Sequence, residues 1–219
     1  MITIEEVKAN EQIRTYIKKA DESMCALGYT EHSFAHVTKV SETSKEILLT
    51  LGHDAREAEL AQIAGYLHDI GNVVNRVDHA QSGAIMAFRI LDNMDADAED
   101  IATIVTAIGN HDEGTAFPVN AVAAAVILAD KTDVRRTRVR NRDFSTFDIH
   151  DRVNYAAHTS HTYITEDKKE IVLEINLDTS ISSVMDYFEI FMERMMLCRR
   201  AAEKLGLQFV LVINNQRVL

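Results

Sequence analysis

One stretch of this chain constrains its possible folds more than any other. It has the residue pattern of a buried helix and ends in two polar residues. Residues 58–67 are mostly small or apolar, and the adjacent pair His68-Asp69 follows them directly. Burying an imidazole or a carboxylate is costly unless the group is paired or binds a metal. Neutral imidazole and carboxylate together suit a divalent cation. The pair therefore predicts a metal site, provided that further ligands lie elsewhere in the chain.

The size and composition of the chain are those of a globular protein with a sizeable core, since it has 219 residues of which 47% are hydrophobic. The net charge of −11 argues against a general nucleic-acid partner. No apolar run approaches the roughly 18 residues of a membrane span, and residues 1–10 lack the apolar segment of a signal peptide. Cys25 and Cys198 lie far apart and outside any C-x-x-C context. Free thiols are therefore expected, which predicts a cytoplasmic protein.

Apolar residues at helical spacing, separated by turn residues, predict an α-helical bundle over residues 1–150. The loops between the helices are short, which is typical of neighbouring helices in a bundle. The expected helices span residues 4–20, 30–51, 55–67, 79–94, 98–109 and 120–136.

Residues 151–219 have a different pattern, which predicts a small α+β appendage. Residues 162–175 read as strand, polar turn and strand, residues 180–205 as a long amphipathic helix, and residues 207–213 as a last strand. The fold class is therefore mainly α, with a C-terminal hairpin, helix and strand. The apolar face of the long helix could be buried in a homodimer.

Two further helices carry candidate partners for the His68-Asp69 pair. His36 interrupts the apolar face of the second predicted helix, and Asp130 follows the apolar run at 121–129. The four residues offer nitrogen and oxygen ligands from three helices, a workable set for one divalent metal in a bundle core. This mixed set favours iron or manganese, with magnesium or zinc as alternatives.

The order His…His-Asp…Asp resembles the HD superfamily of metal-dependent phosphohydrolases over about residues 30–140. In HD families with a binuclear centre, two histidine motifs fall between the His-Asp pair and the final Asp, and His79 and His111 look like these two. The resemblance implies that they bind a second metal ion, with Asp69 bridging the two ions. The Gly-Tyr-Pro loop of the HD-GYP enzymes is absent, and Asn110-His111-Asp112 replaces their His-His-Glu. Hydrolysis of cyclic dinucleotides is therefore disfavoured.

The resemblance and the ligand set imply hydrolysis of a phosphoester or phosphoanhydride, in a nucleotide or a similar small molecule, by a metal-activated water. Asp69 would be catalytic as well as a ligand. Cations for the phosphate are expected from the basic segment after the sixth helix. If that helix continued, Lys131, Arg135, Arg138 and Arg142 would form one stripe. Lys131 and Arg135 are the predicted phosphate contacts, because such side chains bind phosphate directly.

Two other functions fit the same six residues. Some HD proteins with a mixed-valence di-iron centre are oxygenases that cleave C–C or C–P bonds, and a degenerate HD site could serve a nucleotide-sensing module without catalysis. The complete ligand set argues against the sensing module. His32, one helical turn before His36, could join the site or lie at the surface, and so could the loop acids Asp112 and Glu113. The pattern specifies neither the substrate nor the number of metal ions.

Overall fold

The computed structural model describes residues 1–219 and contains nine α-helices and one four-stranded sheet. The helices are α1 (Ile4–Ala9), α2 (Glu11–Ala26), α3 (Phe34–Leu51), α4 (Ala55–Leu67), α5 (His79–Asn93), α6 (Ala98–Gly109), α7 (Ala121–Lys131), α8 (Ile149–Ala156) and α9 (Val184–Lys204). The strands are β1 (Ala157–Ile164), β2 (Glu170–Leu177), β3 (Gln208–Ile213) and β4 (Gln216–Arg217). Short 3₁₀ turns cover Ile70–Val73, Arg136–Arg138 and Phe144–Thr146.

The helices α4 and α7 form the inner layer of the bundle. Every residue from 60 to 67 in α4 and from 122 to 129 in α7 is buried. A helix that is apolar on all sides is stable only inside a protein. Both helices pack against α3, and α6 lies against both of them. The polar residues at their C-terminal ends are thereby carried into the interior.

Side-chain caps account for where the predicted helices begin and end. The helices α4 and α6 have the predicted bounds, and Asp54 and Asp97 accept backbone N–H groups in their first turns. The helix predicted at 4–20 is instead two helices. Asn10 ends α1, and its side chain caps α2 by accepting two N–H groups of the first turn.

The helix α7 ends at Lys131, well before the predicted end at residue 136. The Thr132 hydroxyl donates to a backbone carbonyl one turn earlier at 2.7 Å, and the chain then leaves the helical path. The prediction of one helical basic stripe is therefore wrong. Its members would have been Lys131, Arg135, Arg138 and Arg142.

The sheet confirms the predicted C-terminal elements and adds to them. Its strands lie in the order β1-β2-β3-β4. The first two form an antiparallel hairpin with Tyr163 opposite Val172, while β2 and β3 are parallel and are connected through α9. β1 begins at Ala157, earlier than predicted, and the sequence analysis did not identify α8 or β4.

One hydrophobic core joins the bundle to the C-terminal segment. A single cluster of 50 buried residues extends from Ile2 to Ile213. The helix α9 packs against α7, and its buried face includes Tyr187, Phe191 and Met195. The predicted fold class is confirmed. The boundary predicted at residue 150 falls within α8, and the division into two domains stays a prediction.

None of the helices combines the length and the apolar character needed to cross a membrane.

Candidate metal centre

The His68-Asp69 pair lies where α4 ends inside the protein. His68 is the C-cap residue of α4, and the 3₁₀ turn at Ile70–Val73 then leads the chain away. Asn72 donates its side-chain amide to Asp69 Oδ1 at 2.7 Å and to the Asp69 carbonyl at 3.0 Å. This amide fixes the direction of a carboxylate in a residue that is only 5% exposed.

One group of ligand atoms comes together from α3, α4 and α7. The Nε2 atoms of His36 and His68 are 3.3 Å apart. Asp130 Oδ1 lies 3.4 Å from His36 Nε2 and 3.7 Å from His68 Nε2. Asp69 Oδ2 lies 3.3 Å from His68 Nε2 and 3.6 Å from His36 Nε2. The His36, His68 and Asp130 atoms are close enough together to hold one metal ion.

A second group lies on the other side of Asp69. His79 begins α5 and His111 follows α6, and their Nε2 atoms are 3.1 Å apart. His79 Nε2 lies 3.4 Å from Asp69 Oδ1. The ligand atoms of His68, Asp69 and His111 also fit around one ion. Asp69 therefore presents one oxygen to each group, as expected of a bridging carboxylate.

The protein uses the other nitrogen of these rings to orient them. His68, His79 and His111 each place Nδ1 near the carbonyl three residues earlier, at 2.8, 3.0 and 2.6 Å. A neutral ring that donates from Nδ1 carries a lone pair on Nε2. The lone pairs and the carboxylate oxygens thus face one another, and the donors of Arg76 and Lys131 come within hydrogen-bond distance of the group only at His79 and Asp130. This donor set fits a divalent cation, and histidine ligands are usually oriented in this way.

The carboxylates of the centre are ionised at neutral pH. Burial alone would raise the pKa of Asp69, but the His68 ring outweighs it and holds the pKa well below the usual range. Burial is likewise outweighed at Asp130, chiefly by Lys131, so the pKa of Asp130 is also well below its usual range. Burial lowers the pKa of His111, which keeps its ring neutral. The carboxylates and the His111 ring are therefore in the form that binds metals. At His68, Asp69 outweighs burial and raises the pKa of the ring, so this ring must lose a proton when a metal binds.

Asp133 orients His36, a role that the sequence analysis did not identify. Its Oδ2 accepts from His36 Nδ1 at 2.8 Å, and its side chain is fully buried. Lys39 and Arg135 pair with the other oxygen at 2.8 and 3.0 Å, which compensates the buried charge. The available signal was weak: a carboxylate three residues after Asp130, just beyond the end of the apolar helix.

Replacing Asp133 by Asn should weaken metal binding by about 10- to 100-fold, because the carboxylate that accepts from Nδ1 and orients the His36 ring is lost. Equilibrium titration of the metal-free protein with Mn²⁺ would measure the change. Glu193→Gln, at an exposed position on α9, is the matched control and should bind as the wild type does. Equal affinities for the three proteins would contradict the orienting role of Asp133.

Lys131 lies beside the centre but is enclosed by carboxylates. It is 4% exposed, and its Nζ is 2.7 Å from Asp130 Oδ2 and 3.1 Å from Glu113 Oε2. Burial would lower the pKa of Lys131, but Asp130 and Glu113 outweigh it and raise the pKa. Its charge thus contacts Asp130 and Glu113, and the predicted phosphate contact by Lys131 stays a prediction. Glu113, which the sequence left open, belongs to the surroundings of the site.

The predicted phosphate contact by Arg135 also stays a prediction, and its guanidinium is bound by neighbouring residues. Its Nε donates to Asp133 Oδ1 at 3.0 Å, and its two terminal nitrogens donate to Glu31 at 2.9 Å and Thr137 at 2.6 Å. Each nitrogen of the guanidinium therefore has a partner within the protein. Arg135 therefore supports Asp133, and through it the orientation of His36.

Other polar residues line the approach to the centre. Arg76 Nη1 lies 3.2 Å from His79 Nε2 and 3.9 Å from Asp69 Oδ1. Its other terminal nitrogen is 3.8 Å from Asp112 Oδ1, so Asp112 lies at the edge of the site. The ring of His32 packs edge-on against the ring of His36, with centroids 5.7 Å apart.

A cavity of about 300 Å³ adjoins the centre and is lined by residues from both parts of the chain. Its walls include three arginines, Arg76, Arg138 and Arg194, together with the ring of His32. On α8 and just before it, the lining contains carboxylates, an imidazole and an amide. These residues are Asp148, His150, Asp151 and Asn154. The lining thus carries three arginines against two aspartates, and Arg76 belongs both to this lining and to the edge of the centre.

The HD domain family model matches residues 33–189 of this chain, which therefore belongs to the HD domain family. The sequence-based expectation of the family is confirmed. Proteins of this family bind divalent metals, and the two ligand groups around Asp69 could each hold such an ion.

Two similar proteins have names that specify no particular reaction or substrate. The uncharacterized protein MJ1020 of Methanocaldococcus jannaschii is 26% identical over 158 residues, which is 62% of this chain and 61% of that protein. The match thus spans about three fifths of the length of this relative. A crystal structure of a predicted HD superfamily hydrolase from an uncultured Thermotogales bacterium is 26% identical, with a TM-score of 0.45 over 57% of this chain and 67% of that one.

The structure brings together all six residues that the sequence analysis proposed as metal ligands. They are His36, His68, Asp69, His79, His111 and Asp130. Their role as ligands, and the occupancy by one or two ions, stay predictions.

Proposed function

We propose that this chain is a metal-dependent phosphohydrolase that cleaves a phosphoester or phosphoanhydride bond in a nucleotide or a similar small molecule. One observation carries the proposal. Asp69 directs one oxygen towards the group of His36 and His68 and the other towards His79, at 3.3 to 3.6 Å. Four imidazoles and two carboxylates that converge on one buried point, beside a cationic cavity, are more than a structural role needs.

His36, His68, Asp69 and Asp130 would hold one divalent cation, and His79 and His111 would hold a second with Asp69 shared. Cations in this position supply Lewis-acid polarisation of a phosphoryl oxygen and a hydrolytic water at neutral pH. The nitrogen and oxygen donors favour iron or manganese, with magnesium or zinc as alternatives.

The residues of the chain itself would bind and orient the substrate. Arg76 reaches both the centre and the cavity, so its guanidinium can neutralise phosphate charge beside Asp69. The carboxylates of Asp148 and Asp151, elsewhere in the lining, would repel a second anionic group and accept from hydroxyl groups. A cavity of about 300 Å³ is at the small end of ligand sites. A phosphate ester of about the size of a mononucleotide therefore fits better than a dinucleoside polyphosphate.

The proposal is tested by measuring metal content and phosphate release together. The protein would be purified anaerobically, analysed for metal per chain, and assayed with nucleoside monophosphates, nucleoside triphosphates and dinucleoside polyphosphates. We expect release of inorganic phosphate that stops after chelation and returns when Fe²⁺ or Mn²⁺ is added back.

The same preparations distinguish the competing functions. Oxygen consumption by the iron-loaded protein without phosphate release would favour the di-iron oxygenase. Metal and nucleotide binding with neither reaction would favour a sensing module. A protein that takes up no divalent metal under any of these conditions would refute the proposed hydrolase.

A further inference from the structure

We propose that Arg194, on the C-terminal helix α9, binds a phosphate oxygen of the substrate. This inference rests on the proposed function and adds to Arg76 a second anion contact, from a residue outside the HD motifs. Arg194 is a cationic side chain near the centre whose terminal N–H donors have no partner within the protein.

The arginines near the centre differ in how their donors are used. Arg138 donates from Nε to the Glu31 carbonyl at 3.0 Å and from Nη1 to the Asp133 carbonyl at 2.9 Å. Arg135 uses all three of its nitrogens, as described above. Arg194 donates no hydrogen bond of good geometry to any protein group, although it lines the cavity and its side chain is 29% exposed.

Two contacts nevertheless hold the Arg194 guanidinium in place. Its Nε lies 2.6 Å from Glu113 Oε1, while that buried oxygen accepts no hydrogen bond. The contact is an ion pair that fixes the position of the charge through Nε alone, and the two terminal nitrogens of the guanidinium have no partner in the protein. Phe191, one helical turn earlier, packs against the guanidinium, with its ring centre 4.8 Å from the Arg194 Cζ atom. A guanidinium held at its face and at one edge keeps its remaining edge free for a ligand.

The ion pair also ties Arg194 to the metal centre. Glu113 contacts Lys131, and Lys131 contacts Asp130, at 3.1 and 2.7 Å. The chain of alternating charges leads from a predicted metal ligand to the cavity wall. A phosphate group bound at the centre would thus find a fork of N–H donors whose geometry matches its oxygens. This gives the C-terminal segment a direct part in substrate binding.

The test is a calorimetric titration of the Mn²⁺-loaded protein with inorganic phosphate, comparing wild type with Arg194→Gln, Arg194→Lys and Arg200→Gln. Arg200 is exposed on the same helix and serves as the matched control. We expect Arg194→Gln to bind phosphate about 10- to 100-fold more weakly, as for the loss of a charged hydrogen bond, with unchanged metal content. Arg200→Gln should bind as the wild type does.

Arg194→Lys separates phosphate binding from simple neutralisation of Glu113, because it keeps the charge but loses the fork. We expect Arg194→Lys to bind phosphate with intermediate affinity. If Arg194→Gln fails to fold, Arg194→Lys serves as the test variant in its place. Wild-type phosphate affinity in a folded Arg194→Gln or Arg194→Lys protein, or no phosphate binding by the wild type, would overturn the inference.

The outcome is separable from that of the proposed function. Phosphate binding that depends on Arg194, in a protein that hydrolyses none of the nucleotides, would refute the proposed function alone. Hydrolysis with the same KM in wild type and Arg194→Gln, together with equal phosphate affinity, would refute this inference alone.

Discussion

Replacing Asp69 by Asn is expected to lower the rate of phosphate release by at least about a thousandfold, because a neutral amide removes a ligand charge shared by both groups of imidazoles. In the wild type, the Asn72 side-chain amide donates to Asp69 Oδ1 at 2.7 Å. The side-chain oxygen of the substituted residue can still accept this hydrogen bond, so the turn should stay folded. Metal content should fall in the same variant. Both changes are measured by elemental analysis and by phosphate release under saturating metal.

Asp92→Asn is the matched control for Asp69, since Asp92 is an exposed carboxylate on α5 that lies 3.9 Å from Arg89 at the surface. It should keep the metal content and rate of the wild type. An Asp69→Asn protein that is folded, contains the wild-type amount of metal and releases phosphate at a similar rate would show that Asp69 is not at the reaction centre.

Replacing Gly71 by Ala is expected to lower the free energy of unfolding by at least about 3 kcal/mol, and the melting temperature by about 6 to 12 °C. A Cβ at this position would lie 2.0 Å from the His79 carbonyl oxygen and 2.5 Å from the Gly83 backbone nitrogen. Neither backbone atom can move away without displacing the start of α5. Because His79 begins that helix, metal binding should weaken as well.

Thermal and urea-induced unfolding of the metal-free protein would measure the effect, with Gly114→Ala as the control. A Cβ at Gly114 would meet no atom within 4 Å, so this exposed loop position should tolerate alanine. If Gly71→Ala melted at the wild-type temperature, the close approach of the His68-Asp69 turn to α5 would be incorrect.

The parts of the fold that were predictable are those in which local pattern and tertiary packing agree. The helices α4 and α6 combine an apolar pattern with an Asp cap, and their predicted bounds are confirmed. The break at Asn10 was missed although the spacing marks it: Val7 and Ile13 are six residues apart, which does not fit one apolar helix face. The helix α8 and strand β4 are short, and such elements depend on what they pack against rather than on propensity.

In the metal centre, the predicted ligands could be recognised from the sequence, whereas the residues that orient them could not. The ligand candidates end or interrupt apolar helices, so each is conspicuous in the sequence. Asp133 pairs with His36, which is 97 positions away in the sequence. A contact over this separation cannot be predicted from a local sequence pattern. Arg194 looks like an ordinary residue at the polar edge of an amphipathic helix. Arg135 and Lys131 were the opposite case: their local density suggested a phosphate site, but their charges pair with Glu31 and Glu113 from other segments as well as with carboxylates next to them in sequence.

The helix α7 lies between the bundle on one side and α9 on the other, and this placement limits how the C-terminal segment could change during evolution. A replacement segment would have to fill the volume of Phe191 and supply a cation for Glu113. Without such a cation, Glu113 would keep Lys131 as its one remaining cationic partner. Lys131 also pairs with Asp130, so the position of Asp130 would change as well. Exchange of C-terminal segments between related proteins should therefore succeed only when the loop that carries Glu113 is exchanged with them, so that the two pieces are inherited as one unit.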